Sequence, residues 1–175
     1  MTKFIAVLAT PLAIAACTTM PAGDGETLGV ADLRQANGQP AGTATLVAAG
    51  NSLALDVTVS GVPAGTRGFH LHTTGQCTPP GFQSAGGHLN PFNKDHGLGA
   101  PTGAHLGDLR NIDIEPNGTT TARFDLSGAR EELLPYLFDS DGTSVMIHAQ
   151  PDDYVTDPSG SAGERIVCGV LRRTM

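Results

Sequence analysis

Tryptophan is absent from this 175-residue chain, tyrosine occurs twice, and only two lysines are present, Lys3 and Lys94. Charged residues make up 15% of the sequence, against about a quarter in ordinary soluble proteins. The charge that remains is mostly acidic, with 17 Asp and Glu against 10 Lys and Arg and a net charge of -7. These shortages exclude the basic stripe that nucleic acid requires. Membrane-spanning apolar runs are missing too. The apolar stretch Phe4–Ala16 has thirteen residues, too few to cross a bilayer as a stable helix. No internal repeat or second domain is visible, and the length suits one domain with a real core.

Glycine and proline are abundant, 23 and 12 residues, a mix that suits a turn-rich β domain rather than helices. Alternating segments predict strands over 28–34, 43–48, 53–59, 68–73, 109–115, 120–126, 143–148 and 165–172. Leu53, Leu55, Val57 and Val59 give the cleanest half-buried pattern. Asn37-Gly38, Gly50-Asn51 and Asn117-Gly118 mark turns between them. A short helical turn is expected within 129–138, before Pro135. Residues 74–107 and 150–164 contain no convincing strand, and loops that long in a compact domain are usually functional or disordered. The fold class is therefore all-β: eight antiparallel strands in a Greek-key sandwich or barrel with two long loops.

The N-terminus is read as a targeting segment. Lys3 supplies a positive start, and the apolar stretch ends in Ile14-Ala15-Ala16-Cys17. Small residues before a cysteine resemble a bacterial lipoprotein signal, which implies lipidation of Cys17. The alternative is an ordinary secretory signal cleaved near Ala16. The expected division is a leader over 1–16, a polar tether over 17–26 and a domain over 27–175. Loss of Lys3 with the leader takes the net charge from -7 to -8. By the same resemblance, Thr18 after the cysteine implies the outer membrane, so the expected location is periplasmic or outer-membrane, with membrane contact only through the Cys17 lipid. Committing Cys17 to lipid leaves Cys77 and Cys168, either as one disulfide in an oxidising compartment or as two free buried thiols. A bridge closing that loop contributes roughly 4–5 kcal/mol in the chain-entropy model.

All six histidines fall in four short segments, and five lie between residues 70 and 105. The segments are Gly68-Phe69-His70-Leu71-His72, Ser84-Ala85-Gly86-Gly87-His88-Leu89-Asn90-Pro91, the run from His96 through His105 to Asp108, and Val145-Met146-Ile147-His148. Imidazole is the commonest protein ligand for zinc and copper. His70 and His72 are two apart on a predicted strand, so both project from one face. Alone, that pair is weak evidence for metal. His105 and Asp108 form a compact pair suited to zinc.

Those segments, together with Gly160-Ser161-Ala162-Gly163-Glu164-Arg165-Ile166-Val167-Cys168-Gly169-Val170, resemble copper/zinc superoxide dismutase over about residues 27–172. The resemblance implies dismutation of superoxide to oxygen and hydrogen peroxide. It implies copper on His70, His72, His88 and His148, and zinc on His88, His96, His105 and Asp108. His88 would bridge the two metals and supply a proton toward peroxide; four zinc ligands would leave zinc no open position, making it structural. Arg165 matches the family's substrate-guiding arginine. Asp152, rather than its neighbour Asp153, matches the carboxylate that links a copper ligand to a zinc ligand. The family includes monomers and homodimers, so a homodimer stays open here. Two departures stand out: Thr73 replaces a common Glu, and the 150–164 loop carries Asp152, Asp153, Asp157 and Glu164 but no lysine. That acidity is expected to weaken attraction for superoxide. Asp95 and Asp113 read as solvated surface charges. Competing classes are a metal-holding module without turnover and a structural surface lipoprotein; the full ligand set favours the enzyme.

Overall fold

The computed structural model describes residues 25–175. The expected leader, the lipidation site Cys17 and the tether up to Asp24 lie outside the described residues. The tether's last residue is already docked. Glu26 O accepts from Ala48 N at 2.9 Å, and the Glu26 carboxylate takes Arg130 at 2.8 Å.

Nine strands follow: β1 Thr27–Gln35, β2 Pro40–Ala49, β3 Ser52–Val59, β4 Gly65–Arg67, β5 Phe69–His72, β6 Ile112–Ile114, β7 Thr120–Leu126, β8 Thr143–His148 and β9 Arg165–Arg173. One helix, α1 Arg130–Leu137, precedes β8. Seven strands form an antiparallel sheet in the order β5-β8-β9-β1-β2-β3-β7, and β4 pairs with β6 in a small second sheet. The out-of-sequence neighbours are Greek-key crossovers. The chain leaves β3 at one end of the sheet, reaches β5 at the other, and returns as β7 beside β3. β5 and β7 are the two edges of that order, yet the rings of Phe69 and Phe124 stand 4.5 Å apart. The sheet is therefore curled into a barrel, with Leu33, Leu46, Leu55, Val57 and Leu71 fully buried inside.

Two expectations are corrected. Among the described residues the strand count is nine rather than eight, because the three residues of β4 pair with β6 (Arg67 opposite Ile112). The helix does not stop before Pro135 but runs through it to Leu137. Proline removes one backbone donor there; burial of Leu133 and Leu137 against the core offsets the loss. Gly38 and Gly118 take positive φ in the anticipated Asn-Gly turns, where a side chain would be strained.

The two long loops remain irregular, apart from one 3-10 turn at Gln83–Ala85. They cover the outer face of β5 and β8. Phe69 and Leu71 point into the core, while His70 and His72 alternate to the outer face and are still fully buried. Cys77 in the first loop bonds Cys168 in β9, with Cα atoms 5.7 Å apart. The disulfide alternative is the one the fold realises.

Candidate metal centre

The site begins with the pleat of β5. Pairing of β5 with β8 sets His70 opposite Met146 and His72 opposite Ser144, so His148 joins the same face at the end of β8. The first loop then lies along β5: His72 bridges His88, and His70 bridges Asp108. Leu89 N donates to Leu71 O and Leu71 N donates to Gly107 O, both at 2.9 Å. Gly107 is required by this approach, because a Cβ there would collide with the Leu71 carbonyl. Two groups of side chains result. His70, His72, His88 and His148 form one, and His88, His96, His105 and Asp108 form the other. The candidate ligand atoms of each group lie within 4.8 Å of one another.

Outer hydrogen-bond acceptors favour one tautomer for several of the rings. His70 Nε2 donates to Asp152 Oδ2 at 2.6 Å, and His96 Nε2 donates to Asp152 Oδ1 at 3.1 Å. His72 Nδ1 donates to Gly86 O at 3.0 Å, and His148 Nδ1 donates to Gly163 O at 3.2 Å. His70, His72 and His148 therefore turn an unprotonated nitrogen inward, while His96 meets a carboxylate oxygen at 3.1 Å from each of its two nitrogens. In the first group, His72 Nε2 and His148 Nε2 approach to 3.4 Å, while His70 Nδ1 and His88 Nε2 are buried with no partner. Orphaned buried nitrogens are costly in a native protein, and a cation among them supplies what is missing.

In the second group Asp108 divides its two oxygens. Oδ2 accepts from Gly97 N at 2.9 Å and His105 N at 3.1 Å. Oδ1 faces His88 Nδ1 at 2.7 Å, with His96 Nδ1 and His105 Nδ1 at 3.1 Å. A tetrahedron with bonds of about 2.0–2.1 Å spaces its ligand atoms about 3.3 Å apart, so this set is close to zinc geometry. Three nitrogens and one carboxylate oxygen are also the donor chemistry zinc takes.

Burial keeps three of the rings, His72, His88 and His148, neutral. Desolvation, then the neighbouring imidazoles, lower His72 to about 2 and His148 to about 3. Desolvation lowers His88 to about 4 against the opposing pull of Asp108. Burial pushes the Asp108 carboxyl up, but hydrogen bonds from His88 and Gly97 outweigh it and hold it at about 2. Asp152 is likewise held below its ordinary range, its burial outweighed by bonds from His70 and Tyr154. Neutral imidazoles and ionised carboxylates are the states that metals bind.

Arg165 opens onto the first group from a cleft that it lines with His72, His88 and His148. Its Nη1 donates to Phe82 O at 2.9 Å and its Nη2 to Gly86 O at 2.7 Å, which fixes the guanidinium. Partial burial lowers its pKa from the ordinary value without threatening the charge. Asp152 rather than Asp153 touches the histidines. Asp153 is exposed and caps the backbone of Val155 and Thr156. Asp95 and Asp113 are exposed, accepting from Thr102 and Thr66. Sequence reasoning missed the carbonyls of Phe82, Gly86 and Gly163, because a backbone acceptor has no side-chain signature. It also missed Asn111, which holds both backbone groups of Asp152.

The family model for copper/zinc superoxide dismutase (SODC) matches residues 40–171. Superoxide dismutase [Cu-Zn] 1 of Aquifex aeolicus is 38% identical over 145 residues, 81% of this chain and 86% of the relative. A crystal structure of a SOD-like protein from Bacillus subtilis superposes with a TM-score of 0.75 at 34% identity, covering 82% of this chain and 97% of that one. The Cu/Zn superoxide dismutase from Brucella abortus gives 0.65 at 26% identity, over 82% and 98% of the two chains. A matched segment spanning most of the barrel, with both groups of candidate ligands inside it, makes this chain a member of the copper/zinc superoxide dismutase family, enzymes that use copper and zinc on superoxide.

Proposed function

We propose that His70, His72, His88 and His148 hold copper and that His88, His96, His105 and Asp108 hold zinc. The observation that carries this reading is His88, whose Nδ1 sits in one group while its Nε2 is buried and unpartnered in the other. Copper, when bound, supplies the one-electron couple that superoxide needs in both directions, and zinc supplies a fixed positive charge. The chain's own residues do the rest. Arg165 presents a rigid guanidinium to a small anion entering the cleft. His88 Nε2 takes up a proton and passes it toward peroxide, while Nδ1 stays committed to the second group. Asp152 fixes the tautomers of His70 and His96, so neither ring can offer its proton inward.

We place this activity in the cell envelope as antioxidant defence, with 1–16 as leader, Cys17 as lipid anchor and 27–175 as the catalytic domain. The Cys77–Cys168 bridge supports an oxidising compartment. Two measurements test the proposal. Loading the mature chain with copper and zinc should give one of each metal per chain and rapid dismutation; two bound metals with no turnover would leave only metal storage. Labelling cells with a fatty acid should mark the wild-type protein and not Cys17→Ser.

A further inference from the structure

Asp152 reaches both groups at once, so something must hold its carboxylate between them. Its backbone is clamped by one side chain: Asp152 N donates to Asn111 Oδ1 at 2.8 Å, and Asn111 Nδ2 donates back to Asp152 O at 2.9 Å. Asn111 N donates in turn to the Tyr154 hydroxyl at 2.8 Å, and Tyr154 N donates to Asp152 Oδ1 at 2.6 Å. The flank of the carboxylate is closed by the bare backbone of Gly160. A Cβ at 160 would overlap Asp152 Oδ1 and lie 2.7 Å from His96 Nε2. Gly160 cannot easily withdraw, because Gly160 N donates to Thr156 O at 2.6 Å and Asp153 N donates to Gly160 O at 2.9 Å.

We infer that Gly160 is a positioning residue: its missing side chain is the space in which Asp152 ties His70 to His96, and any side chain there unseats that carboxylate. This rests on the ligand assignment proposed above. Each tied ring keeps its proton on the outer nitrogen and its lone pair inward; a freed ring can rotate or change tautomer. Loss of such an outer partner weakens metal binding roughly ten- to hundredfold.

The molecule contains its own control. Gly160 has φ +63° and Gly50 has φ +61°, but a Cβ at Gly50 meets nothing within 4 Å. Alanine incurs the same left-handed strain at both sites. Only at 160 does it also meet a carboxylate.

Gly160→Ala and Gly50→Ala in the full chain, loaded with zinc and free of copper, separate the two effects. The measurements are zinc release to a chromogenic chelator and the ring N–H signals of 15N-labelled His70 and His96. Gly160→Ala is expected to release zinc roughly ten- to hundredfold faster and to lose both protected N–H signals, while Gly50→Ala matches wild type in both. Asn111→Ala, which removes the clamp without any clash, is expected to shift release the same way, and it decides the matter if Gly160→Ala does not fold. Wild-type release with both N–H signals kept in Gly160→Ala overturns the inference, as does wild-type release from Asn111→Ala where Gly160→Ala is unfolded. A wild-type protein that holds no zinc refutes the ligand assignment instead, before either variant is read.

Discussion

Stripped of its metals, the protein is expected to lose stability steeply as pH falls from 7.5 to 5.5. In the folded chain, burial holds His88 at about 4, His148 at about 3 and His72 at about 2. In the unfolded chain each imidazole titrates near 6.5. The folded values lie below the unfolded ones, so the unfolded state binds more protons in acid. Stability from these rings is complete above about pH 6.5 and drains away as pH falls below it. Once the unfolded imidazole is protonated, each ring contributes a slope of about 1.4 kcal/mol per pH unit. Three rings lose roughly 4 kcal/mol between pH 7.5 and 5.5, a large share of the roughly 5–15 kcal/mol a domain has in total. Asp108, held at about 2, has the same sign but acts only below about pH 4. The assay is urea unfolding of metal-free, disulfide-intact protein at pH 7.5, 6.5 and 5.5, compared by linear extrapolation. A loss under about 1 kcal/mol at constant m-value would refute the reasoning. It would mean that protons reach these rings in the folded state, and that the loops do not seal the cluster without metal.

Arg165→Ala should lower the rate of dismutation by roughly tenfold or more and flatten its dependence on salt; an unchanged rate in pulse radiolysis would remove Arg165 from the mechanism. Replacing Cys77 and Cys168 with serine should cost roughly 4–5 kcal/mol, given a sequence separation of 91 residues, and should speed proteolysis of the first loop; an unmoved denaturation midpoint contradicts this. Glu164→Gln should raise the rate at low salt by roughly twofold and leave it unchanged at high salt, read in the same radiolysis experiment; a gain that persists at high salt would rule out a field effect.

The barrel was legible because its strands alternate. Leu53, Leu55, Val57 and Val59 announce β3, and Asn-Gly pairs announce the turns that lead into β2 and β7. β4 was not legible: Gly65, Thr66 and Arg67 bury no alternating face, and their only pairing is with β6, far along the chain. Pro135 pointed to a helix end, yet buried Leu133 and Leu137 carry the helix past it. The histidine cluster was legible through residue type, since imidazole has few other reasons to cluster, while its division into two ligand sets with Asp108 came through the family resemblance. Their supports were not. Phe82, Gly86 and Gly163 act through carbonyl oxygens, and Gly160 acts through an atom it lacks. Side-chain chemistry cannot be read where the backbone does the work.

The acidic loop means something different once its partners are known. Read as a string of charges, Asp152, Asp153, Asp157 and Glu164 oppose the approach of an anion. In the fold, Asp152 is buried between His70 and His96. Asp157 accepts from the backbone N–H of His96 at 3.1 Å, and Asp153 caps the turn that carries Thr156. Asp152 and Asp157 therefore fasten the second loop to the first, Asp153 holds a turn within the second, and each of the three is matched by donors whose partial positive charge offsets part of its field. Glu164 is the exception; it is exposed, and among the described residues its carboxylate has no hydrogen-bond or ion-pair partner. It is also next in sequence to the guanidinium that faces the cleft. The acid of this loop left without a donor to offset its field is thus the one beside Arg165, where it faces one clamped cation. On the role proposed for Arg165, capture of superoxide turns chiefly on the balance of that pair, because salt screens the more distant charges.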